Sequence, residues 1–223
     1  MTTRTVSRRD FLKAAGMTLS AAALAGAGAG CAAQSPQRAS GIEQEVETPS
    51  YTYEGEPVSN GRILVAYATR SGSTVGVAAA IGETLSKRGF AVEVKPIQEN
   101  PSAEGYQAVV LGSAINGGQW LPEAVEYVKN HQQALNQTPV ALFCVHIMNL
   151  RDDETSQKNR LAYLNKVRPL LQPIDEAFFA GMGMNPDEES AIVRWVYRTF
   201  KIGTEGDCRD WNKIRGWAQS VSV

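Results

Sequence analysis

The sequence predicts an α/β fold, a doubly wound five-stranded parallel sheet with strand order 2-1-3-4-5 and helices on both faces, forming a three-layer sandwich. Short apolar runs alternate with helical patterns from residue 61 to the C-terminus. The runs lack polar alternation, as in strands that are buried on both faces. Hydrophobic residues make up 43% and charged residues 20% of the 223 residues, which is typical of globular proteins and excludes a wholly disordered chain.

Five strands are predicted, and they cover residues 63–68, 91–94, 108–112, 140–145 and 177–181. The predicted helices cover residues 73–88, 122–135, 153–171 and 210–221. Gly89 ends the first helix and Pro122 begins the second, as these residue types commonly do. In this strand order, ligands bind where the order reverses. We therefore expect the site in the loops that follow Ala68, Leu111 and Val145.

The first of these loops offers four hydroxyls and one glycine directly before a helix, in the order Thr69, Arg70, Ser71, Gly72, Ser73 and Thr74. Inward backbone N–H groups and the positive end of the helix favour a phosphate monoester. A nucleotide-triphosphate loop would need a Gly-Lys-Ser/Thr ending, and a dinucleotide loop would need three spaced glycines; both are absent. The alternative is an ordinary turn with a hydroxyl N-cap.

The second and third loops carry the remaining candidates for a flat ligand, which are Ser113, Ala114, Ile115, Asn116, Gly117, Gly118, Trp120 and His146. The glycines let backbone approach a ring, and Trp120 is a candidate for stacking on it. The alternative for Trp120 is a residue that closes the core. His146 either hydrogen-bonds a ring carbonyl or is satisfied at the strand end. Cys144 is predicted to be a small core residue.

The string from Tyr67 to Thr74 resembles the phosphate loop of flavodoxins. The residues Gly112–Ile115 followed by Gly118 resemble the flavodoxin-domain group that includes the menaquinone-dependent protoporphyrinogen oxidase, and Asp210-Trp211 also fits that group. The resemblance covers residues 61–223. It implies noncovalent FMN, with its phosphate at residues 69–74, one side of its ring along residues 113–118, and His146 approaching from the third loop.

The resemblance implies an FMN oxidoreductase that passes electrons between an organic donor and a quinone-type acceptor, as a protoporphyrinogen oxidase does. A non-enzymatic electron carrier of the flavodoxin type remains open, as does an envelope protein that binds a ligand without turnover. A phosphoacceptor receiver domain is excluded because its third strand would end in Asp, whereas this one ends in Gly112-Ser113. The sequence singles out no catalytic acid or base.

Residues 1–31 are predicted to be an export signal. Arg8-Arg9, followed by Phe11-Leu12-Lys13, resembles the twin-arginine signal, and an Ala/Gly-rich run follows it. Without this segment the chain carries 18 basic and 22 acidic residues, a net charge of −4. We expect the protein outside the cytoplasm, and we expect no nucleic-acid partner.

Cys31 follows small residues, as in a lipoprotein cleavage box, although that box usually has Leu where this chain has Gly28. Lipidation of Cys31 would anchor the protein to a membrane; ordinary cleavage after Ala29 is the alternative. Residues 32–60 are polar and read as a flexible tether, with the alternative that Tyr51 and Tyr53 pack on the domain. Three cysteines and two histidines give no metal-binding spacing.

An insertion is predicted at residues 184–206. It contains an amphipathic stretch from Ile192 to Ile202 with a basic polar side. Such a helix either packs on the core of the domain, or contacts a membrane surface, or covers a quinone or porphyrin site.

Overall fold

The sheet is built from runs of aliphatic residues that alternate between its two faces. The computed structural model describes residues 46–54, 60–183 and 206–223. Its strands are β1 (Tyr51–Tyr53), β2 (Arg62–Ala68), β3 (Ala91–Pro96), β4 (Ala108–Asn116), β5 (Gln119–Trp120), β6 (Val140–His146) and β7 (Asp175–Ala180). The order is β1-β3-β2-β4-β6-β7, with β5 paired to β4. The five strands β2, β3, β4, β6 and β7 are parallel, which confirms the predicted order 2-1-3-4-5.

Helices cover both faces of the sheet. They are α1 (Ser73–Lys87), α2 (Pro122–Asn130), α3 (Gln132–Leu135), α4 (Glu154–Ala162) and α5 (Trp211–Ser220). Along β2, Ile63, Val65 and Tyr67 pack in one core with α1 and α5. Leu64, Ala66 and Ala68 point to the other core, which α2 and the segment after α4 cover. This alternation follows from the period of two in a strand, and it yields the three predicted layers. No described helix is long and apolar enough to span a membrane.

Strand β1 is a departure from the tether predicted for residues 32–60. It pairs antiparallel with β3 at the sheet edge. Tyr53 packs against the face of α1, where a Cβ added to Gly82 would lie 3.0 Å from the Tyr53 ring. The Tyr67 hydroxyl donates to the Pro49 carbonyl at 2.8 Å. Aromatic side chains favour a half-buried edge strand, so the alternative in which Tyr51 and Tyr53 pack on the domain describes this segment.

The helix predicted for residues 153–171 ends at Ala162, and turns follow to Leu170. Tertiary contacts override helical propensity here. Tyr163 is buried and its hydroxyl accepts from Asn149 Nδ2 at 2.6 Å, while Arg168 Nε donates to Glu176 on β7 at 2.7 Å. The predicted signal, Cys31 and almost all of the predicted insertion lie outside the described residues.

Candidate functional site

The carboxyl ends of β2, β4 and β6 meet at one cleft, as the topology predicts. Parallel pairing aligns Ala68 with Ser113 and Ala114 with Val145. The cleft has a volume of about 260 Å³. Its lining combines all three predicted loops with a fourth segment after β7, and consists of Arg70, Ser71, Ser73, Ala114, Ile115, Asn116, Val145, His146, Ile147, Gly181 and Met182.

Gly181 and Met182 were missed by the sequence reasoning. Gly181 follows β7, and its N–H donates to the His146 carbonyl at 2.8 Å. The signal that would have found this segment was present, because the carboxyl end of the fifth parallel strand lies at the same edge of the sheet as the other three.

The first loop presents backbone donors at the start of α1. Gly72 precedes the helix with φ of +83°, and its N–H donates to Thr69 Oγ1 at 3.0 Å. Among the described residues no side chain caps this helix. The Val75 N–H donates to the Gly72 carbonyl at 3.1 Å. The N–H groups of Ser73 and Thr74, which have no backbone partner in the described part of the chain, and the positive end of the helix dipole therefore remain available to an anion. The alternative of an ordinary hydroxyl N-cap does not describe the loop, because Thr69 bonds Gly72 rather than the first turn.

Thr74 adds a buried hydroxyl to this helix start. Its side chain is fully buried, and Oγ1 has no hydrogen-bond partner among the described residues. A buried hydroxyl without a partner costs about 1–3 kcal/mol, so a ligand oxygen at this position would be stabilising. Ser71 and Arg70 are exposed at the rim of the same cleft, whereas Ser73 is buried in its wall.

The second loop forms a tight hairpin between β4 and β5. Asn116 pairs with Gln119, which leaves Gly117 and Gly118 as a two-residue turn with φ of +59° and +76°. Such a turn requires positive φ at both positions, hence the two glycines. A Cβ added to either glycine would meet no described atom within 4 Å. The backbone of this turn is thus open to a ligand, while Ala114, Ile115 and Asn116 line the cleft itself.

The Ser113 hydroxyl is already engaged within the protein. It donates to the Ala114 carbonyl at 2.8 Å and accepts from the Leu121 N–H at 3.1 Å. The side chain is fully buried. Ser113 therefore fixes the hairpin to the start of α2, and it contributes to the site through backbone position rather than through its hydroxyl.

Trp120 does not belong to the site, which corrects the stacking role considered for it. Only 2% of the residue is exposed, and its ring packs in the core on the α2 side of the sheet. Its Nε1 donates to Cys144 Sγ at 3.1 Å. Burial raises the pKa of the Cys144 thiol to about 12, as for an unreactive core residue. Trp120 is the residue that closes the core, because strand β5 turns it inward.

His146 lies in the wall of the cleft with 4% of its surface exposed. Its Nδ1 lies 2.6 Å from the Met148 carbonyl oxygen, which can only accept, so Nδ1 carries the proton. Burial lowers the pKa of His146 to about 4, against a weaker opposing effect of that hydrogen bond. The imidazole is therefore neutral near pH 7, and its Nε2 is an acceptor. Nε2 has no partner among the described residues.

The tautomer of His146 corrects the role predicted for it. An acceptor nitrogen cannot donate to a ring carbonyl; it requires an N–H or O–H group on the ligand. Nor is the side chain fully satisfied at the strand end, because in the described part of the chain only one of its two nitrogens has a partner. The described residues contain no group of three or more His, Cys, Asp or Glu side chains suited to a metal ion.

Comparison with known proteins identifies the family. The family described as Flavodoxin domain matches residues 64–187, more than half of the chain. The chain therefore belongs to the flavodoxin-domain family. It is 27% identical over 177 residues to protoporphyrinogen IX dehydrogenase (quinone) of Escherichia coli K12, a similarity that covers 72% of this chain and 94% of that protein.

Similar solved structures include oxidised flavodoxin 1 from Bacillus cereus, with 18% identity, a TM-score of 0.41, and coverage of 54% of this chain and 84% of that one. Another is a flavoprotein from Lactobacillus acidophilus in complex with FMN, with 17% identity, a TM-score of 0.40, and coverage of 53% and 93%.

Family membership confirms FMN as the predicted cofactor, and the residues at the cleft fit it. The uncapped start of α1 and the unpartnered Thr74 hydroxyl suit a terminal phosphate. The open Gly117-Gly118 turn suits the close approach of a flat ring. Seven of the predicted site residues line the cleft, namely Arg70, Ser71, Ser73, Ala114, Ile115, Asn116 and His146, whereas Trp120 lies in the core.

Proposed function

We propose that this flavodoxin-domain protein is an oxidoreductase that uses FMN to pass electrons between an organic donor and a quinone-type acceptor. The observation that carries the proposal is the meeting of the three loops at one cleft. The cleft lies beside the start of α1, which no described side chain caps, and Thr74 in the first turn of that helix has a buried hydroxyl without a described partner. The name of the Escherichia coli relative, a quinone-linked dehydrogenase, supports the acceptor class.

In this proposal the residues of the first loop, Thr69, Arg70, Ser71, Gly72, Ser73 and Thr74, hold the phosphate. The N–H groups of the α1 start donate to its oxygens, and Thr74 Oγ1 satisfies its missing hydrogen bond there. Ala114–Gly118 form one wall for the ring, and their backbone positions are fixed by the Ser113 hydroxyl. Bound FMN supplies the electron-transfer chemistry, while these residues orient it and exclude water.

We further propose that the protein acts outside the cytoplasm. The support is the sequence alone: Arg8-Arg9 within a signal-like segment, and Cys31 after small residues. The twin-arginine route moves folded proteins, which suits a protein that takes up its cofactor before export. Fractionation of cells expressing the full chain, with an Arg8→Lys/Arg9→Lys variant as control, tests export. The intact mass of the membrane-associated protein tests lipidation of Cys31.

The test of the oxidoreductase function begins with FMN titration into the purified full chain, followed by fluorescence quenching. The FMN-loaded protein is then mixed anaerobically with a small quinol or quinone, and loss or return of flavin colour is followed over time. We expect the small quinol to reduce the oxidised flavin directly and the small quinone to reoxidise the reduced flavin directly, so that the protein turns over repeatedly when a quinol donor and a quinone acceptor of higher potential are both supplied. A protein that binds FMN but reacts only stoichiometrically, or only through a partner protein, is the electron carrier instead. A protein that does not bind FMN contradicts both functions.

A further inference from the structure

A second cleft also includes His146 in its lining and lies beside β7, the last strand of the sheet among the described residues. Its volume is about 230 Å³, and its apolar lining includes Leu150, Phe178 and Phe179. We propose that this second cleft binds the ring of a neutral hydroxyaromatic compound, the reduced hydroquinone class, whose O–H donates to His146 Nε2. The proposal deepens the proposed function, on which it rests for the identity of the physiological ligand.

His146 links the two clefts because this residue belongs to the lining of both. The Met148 carbonyl holds Nδ1–H, and the Tyr163 ring lies 5.4 Å from the imidazole at 55°. These contacts fix the ring, and Nε2 is left as a buried acceptor without a described partner. The cost of leaving such an atom unpaired is relieved only by a ligand that brings a donor.

The lining of the second cleft suits an aromatic ring. Its volume of about 230 Å³ is close to the 260 Å³ of the first cleft. Phe179 offers an aromatic wall that is held in place by an edge contact with Trp217, 5.7 Å between ring centroids. Aromatic walls favour an aromatic ring through offset or edge contacts.

The charges around the second cleft favour a neutral ligand. The lining includes two basic and two acidic side chains, so the formal charges balance; these are Arg160, Lys213, Asp152 and Asp210. The Arg160 guanidinium is also engaged, since Nη1 donates to the Asn149 and Arg151 carbonyls at 2.6 Å. Asp210 accepts from the Asn212 and Lys213 N–H groups and caps α5. The Arg160 and Asp210 side chains are thus engaged within the protein, and His146 Nε2 is a further polar group of this cleft.

An acceptor at Nε2 distinguishes the two oxidation states of a quinone. A hydroquinone donates its O–H to Nε2, whereas a quinone presents only carbonyl oxygens, and two acceptors repel at hydrogen-bond distance. The second cleft therefore selects the hydroxyl form. A binding site that is arranged to hydrogen-bond its ligand discriminates strongly against analogues that lack the donor, because the buried protein group is then left unpaired.

The test measures the binding of 1-naphthol, 1-methoxynaphthalene and 1,4-naphthoquinone to the full chain by anaerobic calorimetry, with and without saturating FMN. Of these three probes, only 1-naphthol has an O–H donor. We expect 1-naphthol to bind at least tenfold more tightly than 1-methoxynaphthalene and 1,4-naphthoquinone. An independent readout is the ¹⁵N chemical shift of His146 Nε2, which should move on addition of 1-naphthol. Equal affinities for 1-naphthol and 1-methoxynaphthalene would overturn the proposal.

Variants of His146 separate the acceptor from the fold. The Asn side chain in His146→Asn keeps a donor for the Met148 carbonyl but lacks an acceptor at the Nε2 position, so the preference for 1-naphthol should vanish. His146→Gln restores an acceptor near that position and should recover it in part. His131→Asn is the matched control, because His131 Nδ1 also contacts a carbonyl, that of Tyr127 at 3.0 Å, and lies outside both clefts. A preference that survives in His146→Asn overturns the proposal.

Two cleft-filling variants assign the probe to one cleft. Ala180→Leu narrows the second cleft and should weaken 1-naphthol binding at least tenfold while FMN binding is retained. Ala114→Leu narrows the first cleft and should weaken FMN binding at least tenfold while 1-naphthol binding is retained. Competition between 1-naphthol and FMN would place the probe in the first cleft and overturn the proposal. If FMN does not bind but the naphthol preference persists, the proposed function fails and the second-cleft proposal stands.

Discussion

Two buried polar atoms without described partners differ in chemical capacity: Thr74 Oγ1 at the start of α1, called the α1 end, and His146 Nε2 at the end of β6, called the β6 end. At the α1 end, Thr74 Oγ1 is a buried hydroxyl that can donate or accept. At the β6 end, His146 Nε2 is a buried nitrogen that can only accept, because Met148 occupies its other nitrogen. The α1 end thus suits the oxygens of an anion, and the β6 end suits a neutral donor. A buried polar atom without a described partner therefore marks a candidate binding position. Whether that atom can donate, accept or do both then decides which ligand group it can bind.

The largest expected effect is a loss of stability when the pH is lowered, because of His146 at the β6 end. The pKa of His146 is lowered from 6.5 to about 4 by burial, with smaller contributions from the Arg160 and Lys213 charges. The unfolded chain binds a proton below pH 6.5, whereas the folded protein does so only below about pH 4. The free energy of unfolding should therefore fall by about 3 kcal/mol as the pH falls through this window.

Urea denaturation between pH 7 and pH 4.5 measures the slope with which the free energy of unfolding falls as the pH falls. Asp153 and Asp207 have lowered pKa values and add their own loss at lower pH, so the variant difference is the decisive quantity. His146→Asn should flatten the slope, and His131→Asn should retain it. If wild type and His146→Asn show the same pH dependence, His146 is not held neutral and the contrast between the two ends disappears.

At the α1 end, Thr74→Val removes the hydroxyl and keeps the shape. A hydrogen bond to a charged group contributes about 1.5–3 kcal/mol, so FMN affinity should fall about 10- to 100-fold. The FMN-free protein should be as stable as wild type or more so, because a buried unpaired hydroxyl is removed. Fluorescence titration and urea denaturation measure the two effects.

Thr84→Val is the matched control in the same helix. Its Oγ1 donates to the Ala80 carbonyl at 2.7 Å, so this variant should lose about 1 kcal/mol of stability and keep its FMN affinity. An unchanged FMN affinity in Thr74→Val would mean that the phosphate does not reach this hydroxyl.

Much of the α1 end could be predicted from the sequence, and much of the β6 end could not. The start of α1 at Ser73 and the loop chemistry follow from local pattern, because backbone donors at a helix start need no tertiary contact. The tautomer of His146 depends on where the Met148 carbonyl lies, which a sequence does not show. Trp120 was misassigned for the same reason, since its partner Cys144 belongs to another strand.

Trp120 provides a comparison with a residue that belongs to neither end. Trp120→Phe removes the hydrogen bond to Cys144 and some ring volume, which should lower the free energy of unfolding by about 1–2 kcal/mol. FMN affinity should stay within twofold of wild type, because the ring lies in the core. Trp217→Phe, which loses a 3.1 Å hydrogen bond to Asp175, is the control. A large loss of FMN affinity in Trp120→Phe alone would restore the stacking role.

The smallest effect is expected at Gly72, where backbone conformation rather than a side chain prepares the α1 end. Its φ of +83° is unfavourable for any residue with a Cβ, while the space itself is sufficient, since an added Cβ would lie 3.5 Å from Val46 Cγ1. Gly72→Ala should therefore cost about 1 kcal/mol in urea denaturation through strain alone. Gly216→Ala, in the interior of α5 with nothing described within 4 Å of an added Cβ, should instead be neutral or stabilising. Equal effects of the two substitutions would mean that the loop relaxes to an ordinary turn, and the α1 end would then owe its anion preference to the Thr74 hydroxyl more than to its backbone.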